Sequence, residues 1–244
     1  MKKIFFILIT VLSIAHTQVL DISYIAKFGI LGKVGKIDNK IIINHNRYTI
    51  DTTLKLYGIA KILLGGQKEH YTSKGKIING YFVPDFYSMS SIKKSKSSLK
   101  KYYFDHKKHT VTRIKIKTKN HKVTSNKKKI LDFYAKDDLL TLYFNMDRHI
   151  KAHKNQKSFT LNVAGLEKQK GKVKITQATR DDRDEYKDDL GSSYSWYAKA
   201  LIVQKSFKNK KGDILLSASK DGYIKKAVIK DLVMYGDAML KRIK

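Results

Sequence analysis

The chain has 244 residues, 42% of them hydrophobic, and no cysteine. That apolar content supports a real core and argues against a wholly disordered chain, while the missing thiols exclude disulfides, zinc–thiolate centres, thiol catalysis and a lipid-modified N-terminal cysteine. The 51 Lys and Arg against 21 Asp and Glu give a formal charge of +30, yet all but Arg47, Arg113, Arg148, Arg180, Arg183 and Arg242 are lysines, which weakens a nucleic-acid reading because base readout favours arginine.

The N-terminus has the three-part layout of a secretory signal. Lys2 and Lys3 precede an apolar run from Ile4 to Ala15, and Ser13-Ile14-Ala15 offers small residues at a cut site. The run is shorter than the roughly 20 residues a bilayer demands, so cleavage after Ala15 is expected, with Thr17 or an uncleaved anchor as alternatives. No later segment is long and apolar enough to span. The expected organisation is a signal peptide over 1–15 and one β-rich domain over 18–244. Export also carries the chain away from nucleic acid, and no nucleic-acid partner is expected. The dispersed lysines read first as solvated strand faces, with attraction to anionic envelope polymers or lipid headgroups as the functional alternative.

After residue 20 the pattern has mostly strand period, with Ile22, Tyr24 and Ala26 alternating with their neighbours. Lys27–Lys36 then sets Gly29, Gly32 and Gly35 among lysines. A Walker loop would need Gly-Lys followed by Ser or Thr, but Ile37 follows Gly35-Lys36, and no Gly-x-Gly pair exists for a dinucleotide fingerprint. The stretch is expected to be a curved strand whose glycines relieve crowding against another element. Tyr48–Tyr57 is rich in β-branched and aromatic residues, as strands are. Further strands are expected at Glu69–Ile78, Phe86–Ile92, Lys101–Phe104, Thr110–Lys117, Ser158–Val163, Lys172–Thr176, Tyr194–Phe207, Asp213–Ser217 and Tyr223–Met234. Asn79-Gly80 and Asp221-Gly222 are tight-hairpin signals. The single proline, Pro84, should mark an edge, bulge or crossing loop.

Helix is scarce. Gly58–Leu64 reads as one turn or a short helix. Lys136–His153 is the stronger candidate: Asp137 or Asp138 can cap it, and Leu139, Leu142, Tyr143 and Met146 recur at helical spacing, predicting one buried face packed on the sheet. Lys93–Lys101 and the acidic Asp181–Asp189 read as flexible surface. The fold expected is mainly β: a large curved antiparallel sheet or half-open barrel with one or two short helices.

Candidate chemistry is thin. Asp105, His106 and His109 share a predicted turn, but Lys107 and Lys108 repel cations, and an exposed polar turn is the reading carried forward. His149 and His153 read as a solvated helix end. Gly191-Ser192-Ser193-Tyr194-Ser195 lacks the final glycine of a nucleophile elbow. The carboxylates of 181–189 lack apolar framing and the spacing of a calcium loop. No catalytic residue, metal or cofactor is therefore assigned. The aromatic residues serve either ordinary core packing or an apolar groove inside a curved sheet. In the second case the lumen would be lined by Tyr48, Leu54, Leu56, Leu142, Tyr143, Phe144 and Trp196.

Several landmarks fall in a recognisable order: Arg47-Tyr48-Thr49-Ile50, the stretch Gly58 to Gly66, Tyr71-Thr72-Ser73-Lys74-Gly75, Val83-Pro84-Asp85-Phe86, Tyr103-Phe104-Asp105, Asp137 to Phe144, Ser219-Lys220-Asp221-Gly222 and Val233-Met234-Tyr235-Gly236-Asp237. In order and spacing they resemble the family catalogued as domain of unknown function 3108, exported proteins of Gram-negative bacteria. The resemblance covers nearly the whole chain after the signal and implies a β-rich periplasmic protein; it supplies no reaction and no catalytic residue. The expected role is a non-enzymatic periplasmic binding or envelope-maintenance protein for a lipid-like or anionic envelope ligand. The alternative is an envelope polysaccharide or peptidoglycan hydrolase using the acidic residues.

Overall fold

A computed structural model describes residues 17–58, 61, 66–191, 195–203, 211–232 and 236–244. The expected signal peptide lies outside these residues, as do most of the helix expected at Gly58–Leu64, of which Gly58 and Lys61 are helical, and parts of the strand expected at Tyr194–Phe207. Eight strands come first: β1 (Thr17–Phe28), β2 (Gly32–Asn44), β3 (Arg47–Leu56), β4 (Lys68–Ile78), β5 (Tyr81–Lys93), β6 (Lys96–Asp105), β7 (Thr110–Lys119) and β8 (Lys122–Ile130). The short β9 (Asp137–Asp138) leads directly into helix α1 (Leu139–Ala152). There follow β10 (Ser158–Ala164), β11 (Lys172–Gln177), helix α2 (Arg183–Leu190), β12 (Trp196–Val203), β13 (Lys211–Ala218), β14 (Ile224–Leu232) and β15 (Gly236–Arg242).

The strands form one 15-stranded sheet in the order β8-β7-β6-β5-β4-β3-β2-β1-β15-β14-β13-β12-β11-β10-β9. Neighbours are antiparallel except β9 and β10. The sheet therefore folds back and forth twice, and the two halves join where β1 pairs with β15, Tyr24 opposite Arg242. It curls without closing into a ladder, as a half-open barrel. Its two ends meet instead through a side chain: Glu167, in a 3-10 turn after β10, accepts hydrogen bonds from Tyr102 Oη (2.5 Å) and Arg113 Nη1 (3.2 Å) on β6 and β7. Burial would raise the Glu167 carboxyl, but the Tyr102 hydroxyl, the charge of Lys100 and hydrogen bonds from its own backbone and Arg113 outweigh it and hold it below its ordinary range.

Helix α1 lies inside the curl. Its cap is built as the sequence suggests. Asp138 accepts from the backbone N–H of Leu140 and Thr141, while Thr141 Oγ1 accepts from the Asp138 N–H, completing a capping box. The expected single buried face is corrected, however. Leu140 and Phe144 pack with Tyr48, Ile50, Phe82 and Tyr87 from the first half of the sheet, whereas Leu142, Met146 and Ile150 pack with Val173, Ile175, Trp196 and Leu216 from the second. A helix wrapped by sheet needs apolar side chains on both flanks, so one stripe does not describe it. His149 is also buried and sits 3.1 Å from Asp137 Oδ2, so the solvated helix end is corrected too.

Other local expectations divide. Asn79-Gly80 forms the two-residue β4–β5 hairpin with φ of 50° and 78°, both positive as a primed turn requires. Asp221-Gly222 lies in a five-residue loop between β13 and β14 in which Gly222 has φ 84°. Pro84 does mark a bulge, opposite Gly75, where any Cβ would run into Val83 O and come 2.8 Å from Pro84 Cα. Lys27–Lys36 is a hairpin instead of a curved strand: β1 ends at Phe28, a 3-10 turn holds Gly29–Leu31, and β2 begins at Gly32 with φ 62°. Gly35 does meet the close approach foreseen, with the carbonyl of Lys55 2.9 Å from where a Cβ would stand. Lys93–Lys101 is largely ordered strand, since β6 pairs along its whole length with β5 or β7. The acidic stretch is the helix α2, anchored by Tyr186 and Leu190 at helical spacing against Tyr197 and Val228 on the outer face of the sheet.

Candidate functional site

Antiparallel partners opposite one another share a face, so the register fixes what the concave surface carries. One cross-strand row reads Ile22, Asn39, Thr52, Tyr71 and Met89 from β1 to β5. The next row toward the lip carries Tyr24, Ile37 and Leu54. Between these rows and helix α1 lies a cavity of about 380 Å³, lined by Tyr24, Ile37, Leu54, Tyr71, Tyr87, Leu139, Leu140, Tyr143 and Leu240, with Asn39 and Thr52 in its wall. Tyr24, Asn39, Thr52, Tyr87 and Leu140 are buried, and Ile37, Leu54, Tyr71, Leu139, Tyr143 and Leu240 are half-buried.

The polar groups of the wall mostly satisfy one another. Thr52 Oγ1 donates to Asn39 Oδ1 (2.7 Å), and Asn39 Nδ2 donates to the Ile22 carbonyl (2.9 Å). Tyr24 Oη donates to the Ile224 carbonyl (2.9 Å), and the Tyr143 hydroxyl bonds to Tyr24. Tyr71 Oη donates to Glu69 (2.5 Å). Burial pushes the Tyr24 phenol up to about 12 and those of Tyr87 and Tyr143 well above their ordinary range, so all three remain neutral donors. The Tyr87 hydroxyl is fully buried and has no hydrogen-bond partner. The chamber is apolar, with one unspent donor in its wall.

Of the lumen residues expected from sequence, Leu54 and Tyr143 meet in this cavity. Tyr48 is buried in the core, edge-on to Phe82 with ring centroids 4.9 Å apart and its hydroxyl 3.1 Å from Ser73 Oγ. Phe144 packs between Phe82 and Tyr223, Leu142 and Trp196 belong to the opposite flank, and Leu56 lines a neighbouring recess with Leu54, Tyr57 and Lys61. Tyr24, Tyr71, Tyr87 and Leu240 were not singled out by sequence. Their strand alternation was visible, but which strands neighbour one another was not.

A second, wider cleft of about 870 Å³ lies at the other end of α1, lined in part by Asp85, His106, Asp137, Asn145, His149 and His153. Its polar groups hold the helix in place. Asn145 grips the backbone of Phe82 on both sides, Oδ1 accepting from its N–H and Nδ2 donating to its carbonyl, each at 2.9 Å, and Nδ2 also donates to Asp137 (2.8 Å). His106 is half-buried and tied to Tyr134 Oη (2.7 Å) and the Pro84 carbonyl (2.8 Å), while Lys107, Lys108 and His109 in the same turn are exposed, as expected of a polar turn. No group of three or more metal-ligating side chains converges among the described residues. On α2, Asp184 pairs with Lys187 and Asp189 with Lys230, both at 2.6 Å, outside either chamber.

No family model matches the chain, and no curated protein matches it. Among solved structures, the chain is similar to the crystal structure of a beta-barrel-like protein of domain of unknown function 1849 from Brucella abortus, at 10% sequence identity and a TM-score of 0.52. The likeness covers 92% of this chain and 95% of that one. At that identity what the two share is the fold, a mainly β, barrel-like sheet.

Proposed function

We propose that this chain is an exported, periplasmic, non-enzymatic binding protein of the cell envelope, and that it holds a lipid-like ligand inside the curl. Kinship with domain of unknown function 3108, on the ordered landmarks above, is part of the same proposal. The observation that carries it is the cavity between α1 and β1–β5. Its volume falls in the range of small-molecule sites, roughly 300–1,000 Å³, and its walls offer aliphatic and aromatic surface with the polar groups largely spent. Acidic hydrolysis draws no support from α2, whose Asp184 and Asp189 are occupied by lysines on an outer face.

Leu54→Trp, which fills the half-buried end of the cavity from a strand, is expected to weaken binding of dodecanol about tenfold or more, and to remove lipid that co-purifies with the wild type. Native mass spectrometry of protein purified from periplasm, with displacement of N-phenylnaphthylamine as the solution assay, measures both. A wild type that carries no lipid and binds neither probe overturns the cavity reading.

Export is tested separately. Aspartate at Leu8 and Val11 interrupts the apolar run that drives translocation, so the double variant should accumulate unprocessed in the cell. Processed protein in the periplasm at the wild-type level would refute the signal.

A further inference from the structure

The concave face changes character along each row. The row that lines the cavity with Asn39, Thr52 and Tyr71 continues through Met89 on β5 to Lys100 on β6, Lys115 on β7 and Lys127 on β8. Two residues further along the strands, Ser98, Lys117 and Ser125 stand opposite one another, and beyond them Lys96, Lys119 and Lys122. In the other direction Tyr102, which stacks on Tyr87, is followed by Arg113 and Lys129. The same surface is thus apolar over β1–β5 and cationic over β6–β8.

Like charges directly opposite across strands are destabilising. Glu167 answers Arg113 and lies 3.9 Å from Lys100, but no carboxylate is within ion-pair distance of Lys115, Lys117 or Lys127 among the described residues. Burial and the neighbouring charges of Lys117, Lys100 and Arg113 hold the Lys115 ammonium below its ordinary range. A lysine-rich edge strand has a common explanation in discouraging edge-to-edge pairing. That explains β8 alone, because Lys100 and Lys115 lie on strands paired on both sides. About 10 Å, two strand spacings, separates the backbone of Tyr71 from that of Lys100, within the span of one amphiphile.

We propose, on the footing of the cavity reading above, that the ligand is a single-chain anionic amphiphile, its chain in the cavity and its carboxylate or phosphate head on the Lys100–Lys115–Lys127 row. A methylene takes up about as much space as a water, roughly 30 Å³, so the cavity suits one chain of about a dozen carbons and excludes a two-tailed lipid from full entry. The positive lip also attracts the head from solution, and that attraction weakens with salt.

The test compares dodecyl phosphate with dodecanol on the full chain, both by displacement of N-phenylnaphthylamine. The wild type should prefer dodecyl phosphate by about tenfold, the sum of a few modest exposed charge contacts. The triple variant Lys100→Gln, Lys115→Gln, Lys127→Gln should lose that preference and its salt dependence while binding dodecanol unchanged. The control, Lys101→Gln with Lys128→Gln and Lys107→Gln, removes the same charge, two of its sites being on the opposite face of β6 and β8, and should keep the preference. Circular dichroism and thermal unfolding check that both variants are folded. Equal binding of the two probes by the wild type, or loss of preference in the control as much as in the row variant, overturns the headgroup assignment and leaves the cavity reading standing. Failure of both probes removes both.

Discussion

Leu142→Ala should destabilise the protein by about 2–5 kcal/mol, the range for truncating a buried leucine. Leu142 is 8% exposed and projects from α1 into the cluster of Met146, Phe159, Val163, Val173 and Ile175. Helix and strands are clamped from both sides of α1, so little of the resulting void can close by local collapse. Asp184→Ala should change stability by less than about 0.5 kcal/mol, because its side chain is exposed and its partner Lys187 is a surface i,i+3 contact. Urea unfolding of both variants makes the comparison. A larger loss for Asp184→Ala would assign α2 a structural or ion-holding role that its outer position argues against.

Stability should fall as pH rises from about 5 to 7, and Asp138→Asn should abolish most of that slope. Burial, reinforced by the charge of Asp137, pushes the Asp138 carboxyl up to about 7 in spite of hydrogen bonds from Ser73 and the backbone of Thr141 and Leu140. Its ordinary value is 3.8. Between those values the folded state keeps a proton that the unfolded chain releases, so the contribution is complete below pH 3.8 and is lost as pH climbs through 7. The slope amounts to at most about 1.4 kcal/mol per pH unit. Asparagine imitates the protonated acid: its oxygen can still accept from Leu140 and Thr141, and its amide can donate to Ser73 Oγ, now 2.6 Å from Asp138 Oδ2. Denaturation midpoints for both proteins at several pH values in that window give the answer. Parallel curves would mean that Asp138 is ionised in the folded state throughout.

Where local chemistry decides structure, the sequence was readable. Asp137 and Asp138, as alternative caps, announced the start of α1, and Asn79-Gly80 announced its hairpin, because capping and positive φ are settled within a few residues. What depended on distant partners was not readable. β8, Lys122–Ile130, has almost no apolar alternation and is a strand because β7 offers it a ladder. Six carboxylates in Asp181–Asp189 masked the Tyr186 and Leu190 pair that seats α2. The cavity followed the same division. Leu54 and Tyr143 were foreseen from their own segments, whereas Tyr71, Tyr87 and Leu240 converge through a register that joins residues far apart in the chain. The lysine rows were hidden for that reason as well: in sequence they are scattered charge, and only pairing stacks them.

The pairing of β1 with β15 sets an order of events. The seam at the centre of the sheet joins the earliest described strand to the last, Tyr24 with Arg242 and Phe28 with Ala238. Contacts this distant come late in folding, since the loop between them must first be closed. Until β15 arrives, β1 and β14 each present an open edge of the kind that recruits other chains. α1, halfway along the chain, has meanwhile only part of its final enclosure. Both edges stay bare until the last strand is in place, so the time before the docking of β15 is the interval in which this fold most needs a chaperone.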